Sequence, residues 1–506
     1  MSKLVPFRSS DNAEPEMHQQ GISAWIGCKD LALLVDFYEL TMVAGYKATH
    51  RADQRACFDY YFRKLPPDTG FAVSAGLEQV LDFLQQVRFT SEDLRYLAGM
   101  SIFPPDFLDY LRDFSFTGDL WAVPEGSVVF AGEPLVRVEG PLGQVQLIET
   151  FLLNTLNYAT LIATKAARVC LAAKGDPVIE FGLRRAHGPD GGLSGSRAAY
   201  IGGVSSTSNV LAGRVYGIPV SGTQAHSWVM SFADELEAFR AYSEVFPEKL
   251  VLLVDTYDTA SSGLPKALKV FQELRAKGLT VRAAVRLDSG DLVSLSKLAH
   301  RMFTEAGFEN PLIVASGDLD EQRIFHLKQQ GAKINCWGVG TQLITSYNFP
   351  ALGGVYKLSA VEQDCRWVPR MKISSSPEKM TLPGRKRLWR CFDRQDRCIA
   401  DVIALADEDT PKTSELPVVD PDHPEQRKRL EGIARCEDLL TPVMLAGRRT
   451  LARESLPLIR QRAAQTIESL PSDLKLLENP RRYPVYLSDE LARLTQQLIQ
   501  DNERNR

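Results

Sequence analysis

No CxxC pair and no zinc-ligand spacing occurs among the eight cysteines, Cys28, Cys57, Cys170, Cys336, Cys365, Cys391, Cys398 and Cys436. That excludes a disulfide scaffold and a zinc module, and leaves reduced, mostly buried thiols of the cytosolic kind. Charge of one sign is also lacking: 59 Lys and Arg face 63 Asp and Glu, a net −4. A chain so balanced has no global electrostatic reason to bind nucleic acid or an anionic membrane. Gly and Pro, at 35 and 28 of 506 residues, are too few for a collagen-like or largely disordered chain. There is no Walker A motif and no GxGxxG after a first strand. Gly338-Val339-Gly340 is only half of the latter, so a P-loop enzyme is excluded and a dinucleotide site is weakly supported. No apolar run is long enough to span a membrane. The least charged stretch, Pro141 to Thr164, carries Glu149 and is broken by Gln146, Asn154, Thr155 and Asn157, so a buried helix is expected there. The first 20 residues hold Asp11, Glu14 and Glu16 with no apolar core and do not read as a secretory signal. A cytoplasmic setting follows as the expectation.

The length allows about three domains, or one large α/β barrel set into a further domain. Residues 1–28 read as a flexible tail. Helix and strand patterns mix from Lys29 to about Gly140, with a helix in Leu31 to Tyr46 and a strand in Ala56 to Arg63, where Phe58, Tyr60 and Phe62 share a face. From Val178 a rhythm sets in. Apolar runs occur at Val178–Phe181, Ile218–Ser221, Leu250–Val254, Val281–Val285, Leu312–Ala315 and Ile334–Trp337. Helix-like stretches follow most of them, at Ala198–Ala212, Phe232–Phe246, Pro265–Lys277, Leu292–Phe303 and Glu321–Gln329. Repeated strand-helix units predict parallel strands with crossover helices, in a barrel or a doubly wound sheet. The polar, Pro-rich stretch Asp407 to Arg429 reads as a loop, and Leu487 to Gln500 as a closing amphipathic helix.

Each apolar run ends in polar or Gly residues. These ends are Gly182-Leu183-Arg184-Arg185, Gly222-Thr223-Gln224-Ala225-His226, Asp255-Thr256-Tyr257-Asp258, Arg286-Leu287-Asp288-Ser289-Gly290-Asp291, Ser316-Gly317-Asp318 and Gly338-Val339-Gly340-Thr341. Parallel strands would gather all six on one face, where α/β barrels keep their chemistry. Any one of the Asp residues alone reads as a helix cap. Capping does not explain the arginines or His226. Arg184, Arg185 and Arg286 offer planar donors to phosphate or carboxylate. Asp255, Asp258, Asp288, Asp291 and Asp318 could hold Mg²⁺ or orient a histidine. The remaining histidines sit in tails, loops or helix patterns, with His187 in a Gly/Pro-rich loop. The composite is a site for a phosphorylated substrate. Taken singly, Tyr38 reads as core packing and Arg286 as a salt bridge to Asp288.

Several segments carry a resemblance. Glu180-Phe181-Gly182-Leu183-Arg184-Arg185-Ala186-His187-Gly188-Pro189-Asp190-Gly191-Gly192 resembles a signature of nicotinate phosphoribosyltransferases. So do, in order, Leu34 to Met42, Ser206 to Gly213, Gly222 to Ser227, Val285 to Asp291, Gly338 to Thr341, Gly353 to Leu358, Pro377 to Lys379 and Thr381 to Gly384. The resemblance runs from about Lys29 to Arg390. It implies the transfer of phosphoribosyl from phosphoribosyl pyrophosphate to nicotinate, coupled to ATP hydrolysis, in NAD salvage. It also implies an α/β fold: an irregular (β/α) barrel of the type II phosphoribosyltransferase kind, with an α/β sandwich domain built from both chain ends. The corresponding division is 29–150 for the first part of the sandwich, 151–358 for the barrel and 359–506 for the segment completing the sandwich. A homodimer with shared sites, and Mg²⁺ with the phosphorylated substrates, are implied as well. By the same resemblance His226 is the histidine that ATP phosphorylates, with Asp255 and Asp288 orienting it. Tyr38, from the other subunit, and Phe181 sandwich the pyridine ring. Arg286 and Thr223 lie near the nicotinate carboxylate, Arg184 at a phosphate, and Gly340-Thr341 form a phosphate cradle. The related nicotinamide enzymes carry an Asp in the loop occupied here by Ser205 to Asn209. No acid stands there, which favours the acid substrate. A quinolinate-type enzyme would need a denser basic cluster and a shorter chain, and a non-catalytic protein on the same fold would not need His226, Asp288 and Arg286 together.

Overall fold

A computed structural model describes residues 31–374 and 379–504. The tail expected at 1–28, and Pro377 and Glu378 of one quoted motif, lie outside the described residues. The fold is mixed α/β. Its centre is a six-stranded parallel sheet in the order Ser206–Thr207, Val178–Glu180, Cys336–Val339, Leu312–Ala315, Ala284–Leu287, Leu252–Leu253. The apolar runs at Val178, Leu250, Val281, Leu312 and Ile334 thus hold strands. Ile218–Ser221 does not: it contributes one parallel bridge, Thr207 to Val220. The sixth strand is the polar pair Ser206–Thr207, outside every apolar run.

Side chains alternate across these strands with period two. Val285, Leu287, Ile313, Ala315, Trp337 and Val339 point into the main core beneath the crossover helices. The opposite face carries a small separate cluster of Ile179, Val314 and Cys336, flanked by Phe181, Val251 and Leu312. Arg286 and Ser316 follow the same parity onto that face.

Helix Glu149–Ala173 joins the two halves of the molecule. Phe151, Leu152, Leu156 and Leu161 pack with the N-terminal part, while Ile162, Ala166 and Val169 pack under the parallel sheet. The helix covers much of the least charged stretch, Pro141 to Thr164, and its apolar character serves two cores. Among the described residues no helix is long and apolar enough to cross a membrane. A seven-stranded sheet combines strands Arg55–Phe62, Asp119–Ala122 and Val136–Pro141 with Gly354–Gln363, Arg366–Pro369, Thr441–Leu445 and Arg448–Arg449. A further six-stranded sheet lies within Lys386–Ser488. It corrects the loop expected at Asp407 to Arg429, where strands Glu415–Asp420 and His423–Glu431 pair as a hairpin. The second of these is the sheet's edge strand and is exposed along nearly its whole length. Its run of charge is what an unpaired edge carries to prevent further pairing. The helix expected at Ala198–Ala212 is two helices, Gly188–Ile201 and Val210–Tyr216.

Candidate active site

The strand ends assemble around Arg286. Its Nε donates to Ser316 Oγ at 2.7 Å, Nη1 to Thr223 Oγ1 at 2.8 Å and Nη2 to Asp288 Oδ1 at 2.6 Å. Ser316 Oγ in turn donates to Asp288 Oδ1. Two strand ends and the Thr223 loop are thereby fixed to one planar fork, a geometry Lys would not reproduce. Desolvation works against the Asp288 carboxylate, but Ser316, Arg286 and His226 outweigh it and hold the group below the usual Asp range.

Phe181 lies beside this fork, with the Arg286 guanidinium 5.6 Å from its ring centre. The ring has room because position 338 is glycine: a Cβ there would lie 2.5 Å from Phe181 Cε2. Beneath the ring, Glu180 is fully buried. It accepts from Ser196 Oγ at 2.9 Å, Thr207 Oγ1 at 2.6 Å and Gly182 N. A buried carboxylate satisfied by three donors fixes the turn that presents Phe181.

His226 opens helix His226–Met230. Its Nδ1 lies 3.2 Å from Thr256 Oγ1 and its Nε2 3.9 Å from Asp288 Oδ2. The His226 side chain is 41% exposed, so its imidazole is open to solvent. Asp255 is placed differently from what its pairing with Asp288 implied. Its Oδ2 accepts from Asp288 N at 2.9 Å and Ser289 Oγ at 2.6 Å, and its Oδ1 is buried with no hydrogen-bond partner. It holds the loop that carries Asp288 rather than touching the imidazole.

The other sequence candidates lie around this cluster. Arg184 is exposed on the short turn Leu183–Arg185. Gly340 precedes helix Thr341–Ile344 and backs onto the Phe181 carbonyl, 3.2 Å from where its Cβ would stand. Tyr38 is not brought into the cluster. It stands 45% exposed on helix Phe37–Ala48, beside Phe37 and Met42, which are also exposed. Burial of the hydroxyl end and the Glu149 carboxylate push its phenol up. Asp258 and Asp291 are helix caps: Asp258 accepts from Ser261 N at 2.6 Å, and Asp291 from Val293 N and Ser294 N at 3.1 and 3.2 Å. Asp318 has φ of 45° in the tight turn after its strand. Among the described residues no three His, Cys, Asp or Glu are grouped to hold a metal ion.

Ser316, Thr256, Ser289 and Glu180 also hold the cluster, and nothing in the sequence singles them out by residue type. The signal for Ser316 was its parity: it ends its strand on the face that Arg286 shares. Thr256 and Ser289 were legible only as neighbours of the two aspartates.

Known proteins resemble the chain along most of its length. Residues 33–157, 177–394 and 385–495 match, in turn, the nicotinate phosphoribosyltransferase N-terminal domain, the nicotinate phosphoribosyltransferase family and its C-terminal domain. The chain is 44% identical over 467 residues to a nicotinate phosphoribosyltransferase of Bacillus subtilis, covering 92% of this chain and 94% of that one. It is 36% identical over 525 residues to that of Homo sapiens, covering 92% and 96%. The crystal structure of human nicotinic acid phosphoribosyltransferase superposes with a TM-score of 0.82 at 34% identity, covering 92% of this chain and 99% of that one. A nicotinate-nucleotide pyrophosphorylase from Pyrococcus furiosus shares the fold, with a TM-score of 0.67 at 22% identity, covering 88% and 98%. A cluster in which Arg286 and Asp288, at the end of a parallel strand, meet Thr223 and His226 from the neighbouring loop is thus set in a chain that, along nearly its whole length, belongs to the nicotinate phosphoribosyltransferase family.

Proposed function

We propose that this protein joins nicotinate to phosphoribosyl pyrophosphate, forming nicotinate mononucleotide and pyrophosphate, and couples the transfer to ATP hydrolysis through a phosphohistidine at His226. The observation that carries the reading is the single carboxylate, Asp288, that serves Arg286 with one oxygen and faces His226 with the other. A carboxylate facing Nε2 favours hydrogen on that nitrogen. The lone pair then lies on Nδ1, beside the Thr256 hydroxyl, as the phosphoryl acceptor.

Arg286 has five donor hydrogens. Ser316, Thr223, the Gln224 carbonyl and Asp288 engage four, leaving one on Nη2. The Thr223 hydroxyl hydrogen is held only by Gln224 O at 3.2 Å. These two donors suit the nicotinate carboxylate, with the pyridine against Phe181. The pyridine nitrogen is a nucleophile as it stands, so positioning is the protein's main task. Arg184 and Gly340-Thr341 are assigned to the phosphates, whose developing negative charge donors at this face would stabilise. Mg²⁺ reaching the face would be carried mainly on phosphate oxygens.

An amide substrate finds less support. Glu180, the acid nearest the Ser205 to Asn209 loop through its bond to Thr207, has both oxygens committed to donors. The exposed Tyr38, Phe37 and Met42 support a homodimer in which Tyr38 completes the partner's pyridine site. The parallel sheet is read as the wall of an irregular type II barrel over residues 151–358. The seven-stranded sheet, drawn from both sides of that span, supports a sandwich domain of 29–150 and 359–506. The free thiols suit a cytoplasmic enzyme.

Incubation with γ-labelled ATP should place an acid-labile phosphoryl group on the wild type and none on His226→Ala. Product formation from nicotinate and phosphoribosyl pyrophosphate should rise when ATP is added. Label on His226→Ala, or a preference for nicotinamide over nicotinate, would overturn the reading.

A further inference from the structure

Away from the catalytic face, the C-terminal sheet sets two cysteines side by side. Cys391 lies in strand Lys386–Phe392 and Cys436 in the antiparallel edge strand Arg435–Asp438, in direct register. Leu439 N donates to Leu388 O, so that position of the ladder is a hydrogen-bonded pair. Three residues along, alternation makes Cys391 and Cys436 a non-hydrogen-bonded pair, the kind whose side chains stand closest. Their sulfurs are 3.0 Å apart, about 1 Å beyond a disulfide bond. Both face one small apolar cluster with Trp389, Val402 and Ile433. The two are unequal: Cys391 is buried, whereas Cys436 is partly exposed. The sulfur–sulfur hydrogen bond, aided by the Arg435 guanidinium, lowers the Cys436 thiol, while the same bond and burial raise that of Cys391. The reachable sulfur is therefore also the more readily ionised one, as an attacking thiol requires.

We propose that Cys391 and Cys436 are a reversible modification site, closed to an intramolecular disulfide by small disulfides of the glutathione class. The Cys436 thiolate attacks one sulfur of the oxidant, forming a mixed disulfide and releasing one small thiolate. Cys391 then loses its proton and attacks Cys436 Sγ, forming the Cys391–Cys436 bond and releasing the second. Two protein thiols are oxidised, one small disulfide is reduced to two thiols, and the two protons lost by the protein end on them. The closed bond ties the edge strand to its neighbour across a sequence separation of 45.

The test uses the reduced full chain, incubated with glutathione disulfide, quenched by alkylation and digested without reductant. The expected product is a linked Cys391–Cys436 peptide pair, absent after dithiothreitol, in a protein that melts several degrees higher and turns over nicotinate as before. Cys391→Ser should stop at a glutathione adduct on Cys436, and Cys436→Ala should yield no linked pair. Cys365, which is exposed, reports in the same digest that the oxidant acted. Alkylation of both Cys391 and Cys436 in the treated wild type, or a glutathione adduct persisting on its Cys436, would overturn the proposal.

Discussion

Asp255 is buried where its strand ends, and its Oδ2 binds the backbone N–H of Asp288 and the hydroxyl of Ser289. Replacing it by alanine removes both bonds and leaves an inward-facing N–H without a partner. Hydrogen bonds to a charged group contribute about 1.5–3 kcal/mol each. Relief of the carboxylate's own burial offsets part of that loss, so a net cost of about 3 kcal/mol falls on the Asp288 loop. At about 1.4 kcal/mol per tenfold, that is roughly a hundredfold loss in kcat/KM. The label on His226 should fall with it, because the displaced carboxylate is the one facing the imidazole. Asp255→Asn separates this account from direct contact with His226. An Asn oxygen can still accept from Asp288 N, so its activity should stay within about tenfold of wild type. The assay is steady-state turnover of nicotinate and phosphoribosyl pyrophosphate, with phosphohistidine measured in parallel. Equal damage from Asn and Ala at 255 would refute the positioning account, and so would an Ala variant with full activity.

Three further outcomes follow from the same geometry. Gly338→Ala would place a carbon 2.5 Å from the Phe181 ring, and overpacking of this kind costs about 1–3 kcal/mol, so the Tm should fall modestly and, where the displaced ring takes up the strain, the KM for nicotinate should rise about five- to a hundredfold. Arg286→Lys keeps the charge but cannot hold Ser316, Thr223 and Asp288 together, so kcat/KM should fall about a hundredfold while the fold survives, as read by circular dichroism. Glu39 is fully buried, and desolvation, with Glu149 and Asp36 adding to it, pushes its carboxyl up to about 8. The folded state therefore retains a proton that the unfolded chain releases near 4.5. Stability then declines by about 1.4 kcal/mol per pH unit between those values, and Glu39→Gln should melt above wild type at pH 8 by more than it does at pH 5.

Legibility in the sequence followed the strength of local patterns. Strand Leu312–Ala315 and helix Glu321–Gln329 lie where the apolar period placed them, since a buried parallel strand and its crossover helix leave little choice of residues. Ser206–Thr207 escaped notice because two polar residues forming a strand need neighbours, here Ile179 and Glu180, that the sequence does not mark. The segment His423–Glu431 was hidden by its charge, which belongs to an edge rather than a loop. Within the site, the residue types at the strand ends were legible, but the pairing was not. Asp255 and Asp288 stand 33 positions apart, and only the register between neighbouring strands shows that one supports the other.

That distinction bears on how the two halves of the chemistry are linked. Asp288 cannot serve His226 without also serving Arg286, because its Oδ1 is held by Arg286 and Ser316 while its Oδ2 faces the imidazole. A phosphoryl group on His226 Nδ1 would bring a charge of about −1.5 to −2 onto the imidazole whose Nε2 faces that carboxylate. Repulsion would then act on Asp288, and through it on the Arg286 fork proposed for the nicotinate carboxylate. Coupling between sites is reciprocal, so bound nicotinate must alter the phosphohistidine equilibrium by the factor with which phosphorylation alters nicotinate affinity. On the proposed roles of His226 and Arg286, the shared carboxylate would be the physical path for that exchange, with Ser316 bonded to both Asp288 and Arg286.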